Sequence, residues 1–304
     1  MKYPRAIIAR LRQVIWTILK IDERFEEIKI NQGIILSSLN EIKTSNKLGT
    51  YEFKVFSQWG EDGIIQHLTN SIEIKNKTFI EFGVEDFFES NCRFLMMKDD
   101  WSGFMIDGSK TNIERLKRSY FYWKHNLTAL NAFITRDNIN QLLAKSNFDE
   151  DIGILSIDLD GNDYYILEAI RFYKPRILIC EYNPIFGHTR KISVPYRPDF
   201  RRAEAHHSNL YWGASLSAMT HIADLRGYAL VGTNIASTNA FYVRKDLVNN
   251  KLEVLAVESA YSPSNYRESR GLDGELTHIT ASERLSVIKG LSIFDVEKNS
   301  IEVL

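Results

Sequence analysis

The stretch Phe79-Ile80-Glu81-Phe82-Gly83-Val84-Glu85-Asp86 decides the fold. It reads as a β-strand, residues 78–83, that ends on glycine, the residue that lets a chain turn sharply and lets backbone approach a ligand closely. In open α/β sheets the ligand sits beyond the carboxyl ends of the strands, where the strand order reverses. Glu81 is placed there to reach a ligand's amino group, directly or through water. The glycine-rich GxGxxG loop of dinucleotide sites is missing, because Val84, Glu85, Asp86, Phe87 and Phe88 follow Gly83. A pyrophosphate needs bare amides and positive charge. A loop with two acids suits a cationic, phosphate-free ligand better.

Outward from this strand the pattern alternates between β-rich and helical runs. Further strands are expected at 103–107, 127–134, 153–158 and 176–181, separated by helices such as 112–120, 138–145 and 164–172. Five strands with intervening helices predict an α/β, Rossmann-like, mostly parallel sheet wound on both faces. The second strand ends at Asp107, where a carboxylate can accept both hydroxyls of a ribose; an alternative is that Asp107 caps the helix before Thr111. An irregular segment, 183–208, carries Pro184, Pro195 and Pro198. A helix over 213–226 then leads to strands 228–232 and 239–244, an antiparallel hairpin that closes the sheet. By fold-level analogy, such a hairpin separates the methyltransferase variant from ordinary dinucleotide-binding domains. Thr280 and Glu283 have capping-box spacing and open an amphipathic helix through Leu291. Three regions result: a helical stem, 1–48, a methyltransferase-like domain, 49–250, and a helical extension, 251–304, packed on it.

The composition is that of an ordinary globular chain, with 304 residues, 44% hydrophobic and 25% charged. A net charge of −1 gives no general attraction to nucleic acid. Cys92 and Cys180 have no metal-type spacing and read as buried thiols in a reducing cytoplasm. No apolar run is long enough to span a membrane, and no signal-peptide cleavage pattern follows residues 14–19. The first twenty residues hold Lys2, Arg5, Arg10, Arg12 and Lys20 and no acid. With Ile8, Ile15, Trp16 and Leu19 beside them, they suggest peripheral contact at the inner membrane face.

From Ile7 onward apolar residues recur at steps of four and three: Ile7, Leu11, Val14, Ile18, Ile21, Phe25, Ile28, Ile35, Leu39 and Ile42, with Gln32 the one polar interruption. This heptad repeat predicts a coiled-coil stem that makes a homo-oligomer. Taking the Ile and Val series as the first heptad position favours two strands, and the mixed companion series leaves trimers open. The competing reading is an amphipathic helix packed on its own domain.

Four segments carry a resemblance: Ser57-Gln58-Trp59-Gly60-Glu61-Asp62-Gly63, the strand at 79–83, Ile157-Asp158-Leu159-Asp160-Gly161-Asn162-Asp163, and Cys180-Glu181-Tyr182-Asn183. Together they resemble FkbM-type methyltransferases over about 190 residues, with Asp-x-Asp-Gly the most specific part. The resemblance implies a class I fold, S-adenosylmethionine as methyl donor, and transfer to a hydroxyl, often of a sugar in a glycan or glycosylated product. By position it implies that Glu81 and Gly83 line the donor, Asp107 the ribose, and Ala132 and Phe133 the adenine. Ser57, Glu61, Glu85, Gly108 and Ser109 join them in the donor site. The family's second loop glycine is replaced here by Phe87 or Phe88, and Asp160 stands where many relatives carry Glu.

Asp158, Asp160, Asn162 and Asp163 crowd the fourth strand end, and Glu181 with Asn183 crowds the fifth. Carboxylates that converge repel one another unless they share a cation or a proton. Asp158, Asp160, Glu181 and Asn183 could hold Mg2+ or Mn2+, an arrangement similar to metal-dependent catechol-type and macrolide-sugar O-methyltransferases, with Asp158 and Asp160 acting in catalysis. Alternatively Asp158 and Asn162 cap the next helix and Glu181 pairs with Arg190, Arg201 or Arg202. Removing a proton from an alcohol needs a base, and His188, His206 and His207 are the histidines of the irregular segment. Tyr182, Tyr196, Tyr211 and Trp212 could stack on a sugar. Two other functions fit parts of the sequence. The run 154–162 approximates the DxDG strand of haloacid-dehalogenase-type phosphatases, with Asp158 as nucleophile and Asp160 as acid. A catalytically inactive coiled-coil scaffold is the other.

Overall fold

A computed structural model describes residues 3–264 and 268–304, apart from the side chains of residues 3–6, 18, 19 and 281. Lys2 and the side chains of Arg5, Ile18 and Leu19 therefore lie outside the described residues. The strands are β1 (Thr78–Phe82), β2 (Ser102–Asp107), β3 (Leu127–Asn131), β4 (Ile154–Ile157), β5 (Ile177–Glu181), β6 (Ile192–Ser193), β7 (Tyr228–Thr233), β8 (Asn239–Arg244), β9 (Ser292–Asp295) and β10 (Ser300–Val303). The helices that position the site are α1 (Tyr3–Glu41), α2 (Glu61–Ser71), α3 (Arg93–Asp99), α4 (Lys110–Arg118), α5 (Ile139–Leu143), α6 (Asp163–Ala169), α7 (Arg202–Ala205) and α8 (Leu216–Leu225). α9 (Val257–Ala260) and α10 (Ala281–Ile288) follow the sheet.

Seven strands form one sheet in the order β3-β2-β1-β4-β5-β8-β7. β1 to β5 run parallel, β8 is antiparallel to β5, and β7 is antiparallel to β8. The fold is the expected one, α/β and Rossmann-like with a closing antiparallel hairpin. Successive strand residues enter opposite cores: Ile80, Phe82, Phe104 and Ile106 face one cluster, and Phe79 and Met105 face the other. A strand buried on both faces must be apolar at nearly every position, so these runs lack the alternation of a one-sided sheet.

The chain builds β1, β2 and β3 outward and then returns to place β4 on the other side of β1. This reversal leaves a crevice at the carboxyl ends of β1 and β4, where ligands of such sheets bind. Gly83 sits there with φ +69, and a Cβ on it would lie 1.8 Å from the Asp158 carbonyl oxygen. The glycine is required first by the approach of the chain leaving β4.

Two expectations change. The region after residue 250 is not purely helical: β9 and β10 form a hairpin, and β9 also pairs with β6, so a three-stranded sheet covers the segment after β5. Short runs such as Ser292–Asp295 carry too little periodicity to be told from a helix end. The N-terminal stem does pack on its own domain, but with a face other than its heptad stripe. Glu26, Ser37 and Asn40 are buried, and a Cβ at Gly33 would meet Val55 Cγ2 at 2.5 Å and Phe94 at 2.7 Å. Among the described residues no helix is long and apolar enough to cross a membrane.

Candidate functional site

The site is built from the strand ends around Gly83, which borders two adjoining cavities. One, about 250 Å³, is lined by Glu81, Glu85, Glu89, Asp158, Asp160, Glu181 and Glu268, with Arg202, Asn91, Thr238 and Asn239 among the remaining walls. The other, about 90 Å³, lies between Asp107, Gly108, Ala132, Phe133, Ile134, Leu159, Asn162 and Phe200. Seven carboxylates against one guanidinium make the first cavity strongly negative. A larger cavity of about 630 Å³ opens under α1, beside Asn40, Tyr51, His67 and Lys251. It lies away from the strand ends, and no orphaned buried polar atom lines it among the described residues.

Each wall is fixed locally. Asp107 ends β2, where its carboxylate accepts N–H bonds from Ser109 at 2.7 Å and Glu85 at 2.9 Å. It is therefore clamped between the turn after β2 and the loop after β1. Helix α4 is capped by Ser109, whose hydroxyl accepts from the Asn112 N–H, so Asp107 is not the cap. Phe133 follows β3 with its ring partly exposed beside Gly108. Glu81 accepts from the Asn91 and Cys92 N–H groups and the Ser90 hydroxyl, which ties the next loop to β1. Phe87 has a left-handed φ of 65 and buries its ring 6.2 Å from Phe79. A bulky residue in that region is strained. The core contact holds the loop in a glycine-like shape.

Ser57 and Glu61 stand behind the wall. Ser57 is buried and donates to Asp62, whose carboxylate also accepts from the Val55, Phe56 and Ser57 N–H groups. Glu61 accepts from the Trp59 and Gly60 N–H groups and from the Asn234 and Asn239 amides. With those bonds made, they shape the loop and hold Asn239 instead of offering free groups to a donor.

The acids at the β4 and β5 ends separate into distinct roles. Asp158 and Glu181 share a side-chain hydrogen bond, and both are held well above the usual carboxylate range, first by burial and then by neighbouring acids: Asp160 and Asp163 for Asp158, and Asp158 and Asp160 for Glu181. They are a half-buried, hydrogen-bonded carboxyl pair in which burial and neighbouring charge favour the protonated form. Asp160 is more than half exposed and forms an ion pair with Arg202 at 2.9 Å. Arg202 also meets Glu268 at 2.9 Å and lies over the Trp212 ring. Asp163, pushed up to about 7 by burial, accepts from the Leu159 and Gly161 N–H groups and shapes the turn before α6. Asn162, the expected cap, instead donates to the Arg197 carbonyl at 2.8 Å.

The metal expectation finds no support in the geometry of the described residues. Asn183 is fully buried, donates to the Leu210 and Trp212 carbonyls and accepts from the Ile185 N–H, so it is bound into the segment after β5. With Asp160 paired to Arg202, only Asp158 and Glu181 remain of the four proposed ligands. Among the described residues no three His, Cys, Asp or Glu side chains converge to hold a metal ion.

The histidines are also placed elsewhere. His188 lines a separate cavity with Tyr261, 4.6 Å between ring centroids. His206 and His207 face each other at 4.2 Å, and His206 meets the Ser208 hydroxyl at 2.7 Å. None of the three lines the acidic cavity. Tyr182 and Trp212 are buried, Tyr211 bonds to the Ser292 carbonyl, and Tyr196 accepts from the Arg136 N–H. These aromatics anchor the covering segment. Asn239, Glu89 and Glu268 entered the walls without having been singled out, because their nearness depends on how distant loops fold back; Arg202, expected as a partner of Glu181, pairs with Asp160 and Glu268.

Among the described residues, three buried polar atoms on these walls have no hydrogen-bond partner: Glu181 Oε2, Asn239 Oδ1 and Asn162 Oδ1. All are acceptors. Buried polar atoms are normally satisfied, so the walls suit a ligand that brings N–H or O–H donors and positive charge. S-adenosylmethionine, with its amino groups, ribose hydroxyls and sulfonium, fits that demand, and a pyrophosphate does not.

No protein-family model matches the chain, and no curated protein matches it in sequence. Solved structures similar to it include a SAM-dependent methyltransferase from Aquifex aeolicus, at 12% identity and TM-score 0.35 over 59% of this chain and 88% of that one. M. capricolum TrmK in complex with S-adenosyl-homocysteine is 10% identical, with TM-score 0.35 over 64% and 73%. An S-adenosylmethionine-dependent methyltransferase from Clostridium acetobutylicum is 9% identical, with TM-score 0.38 over 60% and 89%. The strand order and closing hairpin make this chain's fold that of the class I methyltransferases.

Proposed function

We propose that the chain is an S-adenosylmethionine-dependent O-methyltransferase of FkbM-like type, acting on a hydroxyl, most simply that of a sugar. The observation that carries this reading is the acidic crevice at the β1/β4 reversal, whose unpartnered buried atoms are acceptors, with Asp107 on one side of Gly83 and the Asp158–Glu181 pair on the other. Bound there, S-adenosylmethionine would supply an electrophilic methyl group on a sulfonium. Asp107 keeps lone pairs for the ribose hydroxyls, and Phe133 offers a flat apolar surface to the adenine. The acidic walls attract the donor's positive charge and concentrate it in the cleft. Once ionised, the Asp158–Glu181 pair accepts the acceptor hydroxyl's proton at a carboxylate oxygen. A carboxylate base held above its usual range is suited to that task. The sugar assignment rests on the family resemblance.

The phosphatase reading needs Asp158 ionised as a nucleophile and Asp160 free as an acid. Asp160 is instead held in an ion pair with Arg202, and Asp158 is hydrogen-bonded to Glu181.

Calorimetry with S-adenosylmethionine and S-adenosylhomocysteine tests the proposal. Micromolar binding that falls at least tenfold in Asp107→Ala supports it, each hydrogen bond to a charged group contributing about 1.5–3 kcal/mol. Absence of donor binding, with phosphate release from an aryl phosphate, overturns it.

A further inference from the structure

Helix α1 meets its domain along one stripe and leaves the opposite one bare. Glu26, Gly33, Ser37 and Asn40 form the docked stripe. At 3.6 residues per turn, the heptad series over the same stretch falls roughly 140° away. Its described apolar members, from Ile7 to Ile42, are all exposed, from 40% at Ile21 to 79% at Ile42. The side that packs on the domain is polar or small apart from Ile30, which meets the Phe53–Phe94 cluster, and the side that faces outward is Ile, Leu, Val and Phe.

That apolar surface amounts to on the order of 1,000 Å² per chain, above the ~800 Å² per partner of a standard interface. The repeat is also self-complementary. The step from Ile7 to Leu11 is four and the step to Val14 is three, so the β-branched series occupies heptad position d, and Leu11, Phe25, Gln32 and Leu39 occupy a. This reverses the assignment that favoured two strands: Leu at a with Ile at d favours three or four. Ile8, Ile15 and Leu36, at position e, are exposed as well and widen the face beyond a two-helix seam. In a parallel, in-register bundle Gln32 meets only its own copies, whose amides can bond one another. An antiparallel arrangement would set it against apolar layers and leave it unpaired, at a cost.

We propose that α1 joins copies of this chain into a parallel bundle of three or four strands, with the domains carried on the outside. The placement of the docked stripe opposite the seam is what allows it. The proposal is independent of the methyltransferase reading.

Sedimentation equilibrium of the full chain tests it. The expected mass is that of three or four chains. Ile28→Lys with Ile35→Lys should reduce it to one chain while far-UV circular dichroism and domain melting stay unchanged, because both side chains are exposed in the single chain. Gln32→Leu should make the assembly harder to dissociate by dilution. A monomer or a dimer overturns the proposal, as does an assembly mass untouched by the two lysines. Binding of a monomeric wild-type chain to anionic vesicles would also overturn it, since the seam would then face lipid.

Discussion

Replacing Glu26 by Gln tests how the stem is held on the domain. Glu26 reaches from α1 to Arg93 at the start of α3, 2.7 Å between Oε2 and the guanidinium, whose side chain is 1% exposed. The cation lies between the Phe56 and Phe121 rings, 4.1 and 4.2 Å from their centroids, and also donates to the Phe88 carbonyl. Tyr120 donates its hydroxyl to the same Glu26 oxygen. The amide variant keeps the shape and removes the charge, so the cation stays buried without a counter-ion. Removing one partner of such a pair costs about 3–5 kcal/mol. The two aromatic faces continue to attract the cation, worth ~1–2 kcal/mol, so the loss should lie near the lower bound, about 3 kcal/mol. For a domain of this size that lowers the melting temperature by about 6–12 °C. Urea unfolding followed by circular dichroism measures the loss, and hydrogen exchange over residues 22–41 shows whether the stem detaches first. Glu26→Leu with Arg93→Met removes both charges and should recover most of it, because the desolvation cost disappears with the ions. A loss below about 0.5 kcal/mol in Glu26→Gln, or a double variant as unstable as the summed single ones, would refute the reasoning.

Three further outcomes follow from the geometry. Gly83→Ala sets a methyl group against the Asp158 carbonyl at a left-handed φ, so soluble yield and melting temperature should fall sharply; near-wild-type melting would show that β1 and β4 can part cheaply. The Asp158–Glu181 pair binds a proton more tightly folded than unfolded, so its share of stability is largest at acid pH and is lost as pH rises through its raised pKa values. A cationic donor prefers the ionised pair, so affinity measured by calorimetry should rise over that same window, and Asp158→Asn with Glu181→Gln should flatten the profile. His67, stacked on Tyr51 at 3.6 Å, is lowered to about 4 by burial and by Lys251. Its contribution to stability is present above the ordinary histidine range and is lost as pH falls from ~6.5 through that value; an NMR titration of the ring with a midpoint near 6.5 would refute the burial argument.

How much of this was legible in the sequence depended on the range of the interaction. The five parallel strands and the closing hairpin were readable because a strand buried on both faces is a continuous apolar run, and β8 even keeps its expected limits, 239–244. Gly83 and Asp107 were readable because topology fixes what stands at a strand end. Position also put Asp158, Asp160, Glu181 and Asn183 together, but it could not assign their partners. Arg202 claims Asp160, the Leu210 and Trp212 carbonyls claim the Asn183 amide, and only the Asp158–Glu181 pair is left in the crevice. Each of those contacts joins loops remote along the chain, whose meeting depends on packing. For α1 the sequence by itself determined a heptad stripe on a long helix. Which stripe touches the domain was decided by the tertiary structure, because a buried Glu26–Arg93 pair and the close approach at Gly33 leave no periodic apolar signal to read.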